Sequence, residues 1–477
     1  MTLHNFVAGE WVPAFDGRTV ERVNPARTDE VVAVLPDSGP ADVDRAVSFV
    51  AEHREEWSRT APEARSDVLV RAADLLMARA DELAVELVRE EGKTLAEARM
   101  ETRRTPQNLR YYAGEAQRST GDTFPTGDGS LVLSVREPVG VVAAITPWNF
   151  PLNIPSRKVG PALAAGNGVV LKPSEVTPLT AQRLVEALLE AGVPAGALAL
   201  VQGGGTAGGE LVKHAAVDAV TFTGSTSVGR SIHRSVGPDV RLQLEMGGKN
   251  ALVVLQDADL ERATALVVKG AFGLSGQACT GTSRVVVHEA VADELLRRVR
   301  DRVRAMVVGD GLTEGVTFGP LATAGQLEKY RTYLGYGSED GAVLDTVDED
   351  ELPGGGWFAR PALFTGVESS DRIAQEEIFG PVLAFLRVGS YEQAVEVVNG
   401  TDFGLSAGIV TDDFRTAVRF SQDVDAGVVK VNQATTGLAM NAPFGGFRLS
   451  STQMYKEQGG PQMLPFYTRE KTVYFTP

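Results

Sequence analysis

The sequence predicts an α/β fold in which parallel sheets carry helices on both faces. Three observations predict it. From Val139 to Val236, short β-rich runs alternate with helical segments, the pattern of successive βαβ units. A second α/β stretch runs from about Asn250 to Val431. The chain has 477 residues, 43% of them hydrophobic, enough for two or three domains with large buried cores.

Taken in order, Ala41–Met100 reads as helical. Leu69, Ala72, Ala73, Leu76, Ala80, Leu83 and Leu87 recur at three- and four-residue spacings and put an apolar stripe on one face, and Pro62 suits a first helical turn. The strands of the first α/β block are expected at Val139–Ile145, Gly168–Lys172, Leu198–Val201, Ala219–Thr223 and Leu242–Glu245. Helices are expected between them near Thr177–Ala191, Thr206–His214 and Val228–Val236. In the second block the strand candidates are Ala251–Leu255, Arg284–His288 and Val382–Val388. Two β-rich pieces, Ser130–Glu137 and Phe466–Phe475, belong to neither block. They could form a small extra sheet whose free edge receives a partner subunit, and two edge strands within one subunit fit the sequence equally.

Charge and composition exclude several roles. With 46 Lys and Arg against 62 Asp and Glu, the formal net charge is -16, which opposes a polyanion-binding surface, so nucleic acid is not an expected partner. Apolar runs such as Val139–Ile145 and Ala195–Val201 fall well short of the roughly 20 residues a spanning helix needs, so no membrane association is expected. Met1–Trp11 has neither a basic n-region nor an apolar h-region, which makes a cytoplasmic location the default expectation. The single cysteine, Cys279, cannot form an internal disulfide and suits a reducing compartment. No metal is expected.

Several short motifs carry candidate chemistry. Gly203–Gly208 matches G-x-G-x-x-G, but the acidic residue expected about 20 positions on is missing from Phe222–Ser225, so it reads as a strand-to-helix turn. In Phe222–Arg230 an apolar strand ends in glycine and hydroxyl residues before a helix, and free N–H groups there favour a phosphate. Ser and Thr are also ordinary helix caps. Cys279 is flanked by the small residues of Ser275–Gly281, which would admit a substrate to the sulfur; a buried cysteine serving as a small hydrophobe is the plainer alternative. A cysteine hydrolase would need a base. None of His4, His53, His214, His233 and His288 sits in a segment built for that role, whereas Glu245, between Leu244 and Met246 and followed by two glycines, suits a desolvated carboxylate base.

The ordered motifs Pro147–Pro151, Lys172–Glu175, Phe222–Gly229, Leu244–Asn250, Gly276–Thr280, Glu376–Pro381 and Pro443–Gly446 resemble the aldehyde dehydrogenase superfamily over nearly the whole chain. The resemblance implies a Rossmann-like cofactor domain (residues 1–118 and 139–249), an α/β catalytic domain (250–440) and a small β oligomerisation element (119–138 and 459–477). A homodimer or homotetramer is implied with it. It implies Cys279 as nucleophile, Glu245 as general base and Asn149, with the Cys279 N–H, as oxyanion hole. For the cofactor, NAD with NADP possible, it implies Lys172, Ser174 and Glu175 on the adenosine side, and Phe222, Gly224, Ser225 and Val228 around the pyrophosphate. Glu377 and Phe379 would take the nicotinamide side, with Ile145, Thr146, Pro147 and Trp148 along its path.

The tail departs from the common family pattern: Arg448 stands where lysine is usual, and Ser450–Ser451 replaces Ser-Gly. Ser450–Ser451, Lys456–Gly459, Phe466–Thr468 and Arg89–Arg99 resemble the branch that oxidises 2-oxoglutarate semialdehyde. The expected reaction is therefore oxidation of a short semialdehyde acid to a free acid. A CoA-acylating enzyme, disfavoured by Glu245, and an inactive binding protein of the same fold are the alternatives. Glu175 would repel a 2'-phosphate and favour NAD, with Lys172 softening the preference. Arg157, eight positions after Asn149, is the expected substrate-carboxylate anchor if a helix begins at Pro151, an ordinary basic helix surface being the alternative. The second arginine of succinate semialdehyde dehydrogenases, six residues before the nucleophile, is replaced by Gly273.

Overall fold

The computed structural model describes residues 1–118, 120–345, 352–452, 454–456 and 461–476. Its first sheet has seven strands, in the spatial order Arg241–Glu245, Ala219–Thr223, Val141–Ile145, Gly168–Lys172, Leu198–Leu200, Asn5–Val7 and Glu10–Val12. The first five are parallel. Val141–Ile145 and Gly168–Lys172 are buried along their whole length, because helices cover both faces and leave no solvent side to demand alternating polarity. The chain steps from Val141–Ile145 outward through Gly168–Lys172 to Leu198–Leu200, then returns to lay Ala219–Thr223 against the opposite edge of Val141–Ile145. That reversal opens a crevice at the carboxyl ends of the two central strands, where such sheets bind ligands.

The second sheet runs Val343–Leu344, Ala362–Thr365, Val382–Val388, Arg284–His288, Ala251–Val254, Ser406–Val410 and Val428–Val431. All pairs but the first are parallel. Met246–Asn250 leads from the carboxyl end of Arg241–Glu245 directly to the amino end of Ala251–Val254, so this short link brings those two strand ends close together.

The helical region is divided into Pro40–His53, Glu55–Arg59, Pro62–Ala78, Ala80–Glu91 and Leu95–Ala116. Leu69, Ala72, Ala73, Leu76 and Leu83 of the predicted stripe join the first core. Gly92 ends one helix at φ +100°, and a Cβ there would lie 2.8 Å from Pro25 Cγ and 2.9 Å from Pro320 Cγ. Thr94 then starts Leu95–Ala116 with a capping box to Glu97.

The two outlying β pieces pair with each other within one chain. Thr468–Phe475 runs antiparallel to Leu131–Pro138 in register from Thr468 opposite Pro138 to Phe475 opposite Leu131, and Thr123–Phe124 adds a third strand. The C-terminal strand starts at Thr468 rather than Phe466, because Leu464–Tyr467 forms a helical turn that buries Phe466 and Tyr467 in the first core. The N-terminal strands Asn5–Val7 and Glu10–Val12 and the ribbon Thr19–Asn24 with Arg27–Pro36 are additions to the expected fold. The Glu457–Gly459 part of the tail motif lies outside the described residues.

Candidate active site

Cys279 sits half-buried in a turn just before the Arg284–His288 strand. The loop leading to it is strained: Leu274 and Ser275 have φ of 55° and 54°, and a Cβ on Gly276 would lie 2.4 Å from the Gly380 backbone. Polar contacts hold that loop. Leu274 N–H donates to Glu97 Oε1 (2.7 Å), Ser275 Oγ to the Gly319 carbonyl (2.8 Å), and Ala322 N–H to Gln277 Oε1 (2.9 Å). Asn250 Nδ2 donates to the Cys279 carbonyl at 2.8 Å, which ties the turn to the link between the sheets. Asn149 lies in the bend after Val141–Ile145, and its Nδ2 donates to the Gln277 carbonyl at 3.0 Å. The amide and the thiol, 130 positions apart, thus meet through a backbone group two residues from Cys279.

Glu245 ends its strand with 1% of its surface exposed, beside buried Leu244 and Met246. Its carboxylate accepts hydrogen bonds from Gly446 N–H (3.2 Å) and Ser451 Oγ (3.0 Å). Gly445 must be glycine here, since it has φ +154° and a Cβ would fall 2.5 Å from Glu245 Oε1. Burial holds the Lys456 ammonium below its ordinary pKa, while the nearby charge of Glu245 acts in the opposite sense.

The crevice of the first sheet gathers the expected cofactor residues. Ile145 ends the central strand, and Thr146 N–H donates to the Lys172 carbonyl at 3.2 Å. Ser225 caps the Thr226–Ser235 helix by accepting from Val228 N–H, and Gly224 N–H donates to the Glu245 carbonyl. Gly229 sits against the Phe222 ring and Met246 sulfur, where a Cβ would approach to 2.5 Å. The buried Lys172 ammonium lies 3.5 Å from the half-exposed Glu175 carboxylate, and burial lowers its pKa. Ser174 Oγ accepts from Val176 N–H.

Across the crevice, the Trp148 ring meets Phe379 edge to face, centroids 5.3 Å apart, with Pro147 next to it in the chain. Phe379 has φ 58°, and Glu377 accepts from Gly248 N–H at 3.2 Å. Burial raises the Glu377 pKa. Gly248, Ala278, Thr282, Glu377 and Phe379 line one cavity.

These groups fit a dinucleotide: a phosphate-ready helix start, a buried ammonium beside a carboxylate at the outer end, and a second carboxylate at the inner end. Buried hydroxyls also await partners, since Thr146 Oγ1 and Thr226 Oγ1 have no hydrogen-bond partner among the described residues.

Arg157 is displaced from its expected geometry. The helix begins at Asn153, not Pro151, so Asn149 lies outside it and helical periodicity does not relate the two residues. Nor do Arg157 and Lys158 form a basic surface, because both are buried, Lys158 donating to Thr221 Oγ1 at 3.0 Å. The charge of Arg157 is felt at Arg104 of the Leu95–Ala116 helix. Burial first, and Arg157 second, lower the Arg104 pKa. Arg104 Nη2 reaches the Leu438 carbonyl at 3.4 Å, three residues beyond Thr435, whose Oγ1 donates to the carbonyl of Thr280 next to Cys279.

Sequence reasoning passed over Arg104 and Glu101 and named Ser451, Lys93 and Glu97 only as parts of family motifs, without a role at the site. Lys93, Glu97 and Glu101 lie just before and within the first turns of the Leu95–Ala116 helix, where charges ordinarily face solvent, and only their spacing of four signals a shared side.

Two α/β sheets meeting at a dinucleotide crevice, with a cysteine, an amide donor and a buried carboxylate along their junction, define an NAD(P)-dependent aldehyde-oxidising class. Residues 11–473 match the Aldehyde dehydrogenase family, and the chain belongs to it. It is 41% identical to the alpha-ketoglutaric semialdehyde dehydrogenase of Bacillus subtilis, over 100% of this chain and 98% of that protein. It is 42% identical to the 2,5-dioxopentanoate dehydrogenase of Saccharolobus solfataricus, over 99% of each. The crystal structure of a putative aldehyde dehydrogenase from Burkholderia cenocepacia superposes with a TM-score of 0.96 at 36% identity, covering 100% of this chain and 97% of that one. The chain is an NAD(P)-dependent aldehyde dehydrogenase. Among the described residues no helix is long and apolar enough to cross a membrane.

Proposed function

We propose that the protein oxidises 2-oxoglutarate semialdehyde to 2-oxoglutarate through a thioester on Cys279. The observation that carries the catalytic part is the Asn149 Nδ2 bond to the Gln277 carbonyl, which brings an amide donor to the turn holding the only cysteine of the chain. Attack by the Cys279 thiolate on the aldehyde carbon puts negative charge on the carbonyl oxygen, and Asn149 Nδ2 with the Cys279 N–H stabilises it. The nicotinamide, when bound, supplies the acceptor for the hydride leaving that carbon. Glu245 then takes a proton from the water that hydrolyses the thioester, and a free acid results.

Lys172, Ser174 and Glu175 hold the adenosine ribose, Ser225 and the Val228 end of its helix the pyrophosphate, and Glu377 and Phe379 the nicotinamide side. NAD is preferred, because Glu175 repels a 2'-phosphate. The carboxylate of the substrate binds at Arg157, whose planar guanidinium suits a carboxylate, with Arg104 as the second cation. The names of the two curated relatives agree with this substrate class. The sheet containing Thr468–Phe475 presents Tyr474 and Phe475 to solvent and assembles a homodimer or homotetramer. A lone, half-buried thiol suits the reducing cytoplasm.

Incubation with 2-oxoglutarate semialdehyde and NAD tests this. Stoichiometric NADH and 2-oxoglutarate are expected without CoA; turnover that requires CoA and yields an acyl-CoA would overturn hydrolysis by Glu245.

A further inference from the structure

The most heavily buried charges of the molecule near this site take no part in the chemistry just described. Lys93 and Glu101 pair at 2.6 Å with no exposed side-chain surface, and Glu91 lies 3.7 Å from the same ammonium. A buried ion pair is a poor way to gain stability, since desolvation of two charges offsets most of their attraction and an apolar pair of similar volume serves as well. The partners of this pair are the informative feature.

Lys93 Nζ donates to the Asn149 carbonyl at 2.8 Å and stands 4.8 Å from the centre of the Phe150 ring. Glu101 Oε1 accepts from the N–H groups of Leu152 and Asn153, each at 3.0 Å. One ion pair therefore grips the bend of Asn149–Asn153 at both ends, leaving the Asn149 side chain aimed at Gln277. Glu97, one turn before Glu101, takes the other side of the site. Its Oε1 accepts from Leu274 N–H at 2.7 Å, within the left-handed stretch that leads into the Cys279 turn, and its Oε2 accepts from Thr94.

We infer that Lys93, Glu97 and Glu101 are positioning residues that set the two halves of the catalytic centre independently: Lys93 with Glu101 sets the Asn149 amide, and Glu97 sets the loop carrying Cys279. The inference rests on the reading of Asn149 and Cys279 as oxyanion donor and nucleophile. Physically, the amide must be aimed before the alkoxide forms, and an irregular bend between a strand and a helix, without a ladder of its own, does not hold one direction unaided. Lys93 supplies a point charge that fixes a main-chain carbonyl, and Glu101 supplies the opposite charge that lets the ammonium stay buried.

The test compares Lys93→Met, Lys93→Arg, Glu97→Gln and Asn149→Ala in the intact protein. Four readouts are taken: the NADH burst in the first turnover, the alkylation rate of Cys279 by iodoacetamide, NAD affinity, and the melting temperature. Lys93→Met is expected to slow the burst about 10- to 100-fold, at most the lower end of the roughly 100- to 1000-fold lost when an oxyanion donor itself is removed, since the amide is misaimed rather than deleted. Its Cys279 alkylation and NAD affinity are expected to match the parent. Lys93→Arg, which keeps a donor and a charge, should recover part of the burst. Glu97→Gln should alter Cys279 alkylation several-fold. If Lys93→Met does not fold, the same burst and alkylation comparison on Lys93→Arg against Glu97→Gln decides, since each must perturb its own half. Loss of burst and alkylation together in every variant would reduce the cluster to a general structural prop and overturn the inference, as would a parental burst in folded Lys93→Met. A parental burst in Asn149→Ala would instead remove the oxyanion reading itself.

Discussion

Ser451 Oγ donates to Glu245 Oε1 at 3.0 Å across 206 positions of sequence. The hydroxyl belongs to the Ser450–Ser451 pair by which the tail departs from the usual Ser-Gly, so the departure reaches the candidate base directly. A donor to a carboxylate favours its charged form. Ser451→Ala is therefore expected to move the acid limb of the kcat pH profile to higher pH while leaving the hydride burst unchanged. A pH-rate series with parallel stopped-flow traces checks it, and an unmoved acid limb would count against Glu245 as the titrating base.

Cys279→Ser should abolish aldehyde oxidation and keep NAD binding, because a hydroxyl is a far poorer nucleophile than a thiolate near neutral pH. Steady-state turnover together with a cofactor titration reads both effects. Full turnover would remove the assignment.

Glu245→Gln should retain more of the hydride burst than of steady-state turnover, since its carboxylate is needed only when water attacks the thioester. Acyl-enzyme accumulation, followed by mass spectrometry of the intact chain, is the direct measurement. Equal loss of burst and turnover would assign Glu245 another role.

Glu175 lies half-exposed beside buried Lys172. Its charge should make kcat/KM higher with NAD than with NADP, and Glu175→Gln should narrow the difference by admitting the 2'-phosphate next to Lys172. Equal kcat/KM for the two cofactors in the parent protein would refute the preference.

Arg157→Leu should raise KM for semialdehyde acids far more than for uncharged aldehydes of similar length, a loss of about 2 kcal/mol, the scale of a charged hydrogen bond. Arg104→Leu should act in the same direction. If both substrate classes suffer alike in each variant, the arginine pair does not hold the carboxylate.

Much of the fold was legible because its strands carry their own signal. Arg284–His288 and Val382–Val388 have the bounds expected of them, since strands covered on both faces carry dense apolar stretches, Val285–Val287 and Val382–Leu386, that stand out from their surroundings. Asn5–Val7 and Glu10–Val12 did not stand out, because three residues are too few to show any period, and the strand that joins Asn5–Val7 to the sheet, Leu198–Leu200, is nearly 200 positions away. The start of the Asn153–Ala164 helix was misplaced by two residues, as proline at 151 suits a first turn but here lies in the bend before it.

Residue types and local order raised Cys279, Glu245 and the Phe222–Arg230 turn as candidates, because nucleophile, base and phosphate cradle each demand particular side chains in particular local settings, and the family resemblance added Asn149 and the other cofactor residues. Only the tertiary structure decided what surrounds them. Lys93 under Asn149, Glu97 against the Cys279 loop, Ser451 on Glu245 and Arg104 on the Leu438 carbonyl are contacts between segments distant in the chain. Packing turns these charges and hydroxyls from ordinary surface groups into fixed partners, partly or wholly withdrawn from water, and packing is a property that no single segment carries in its own sequence.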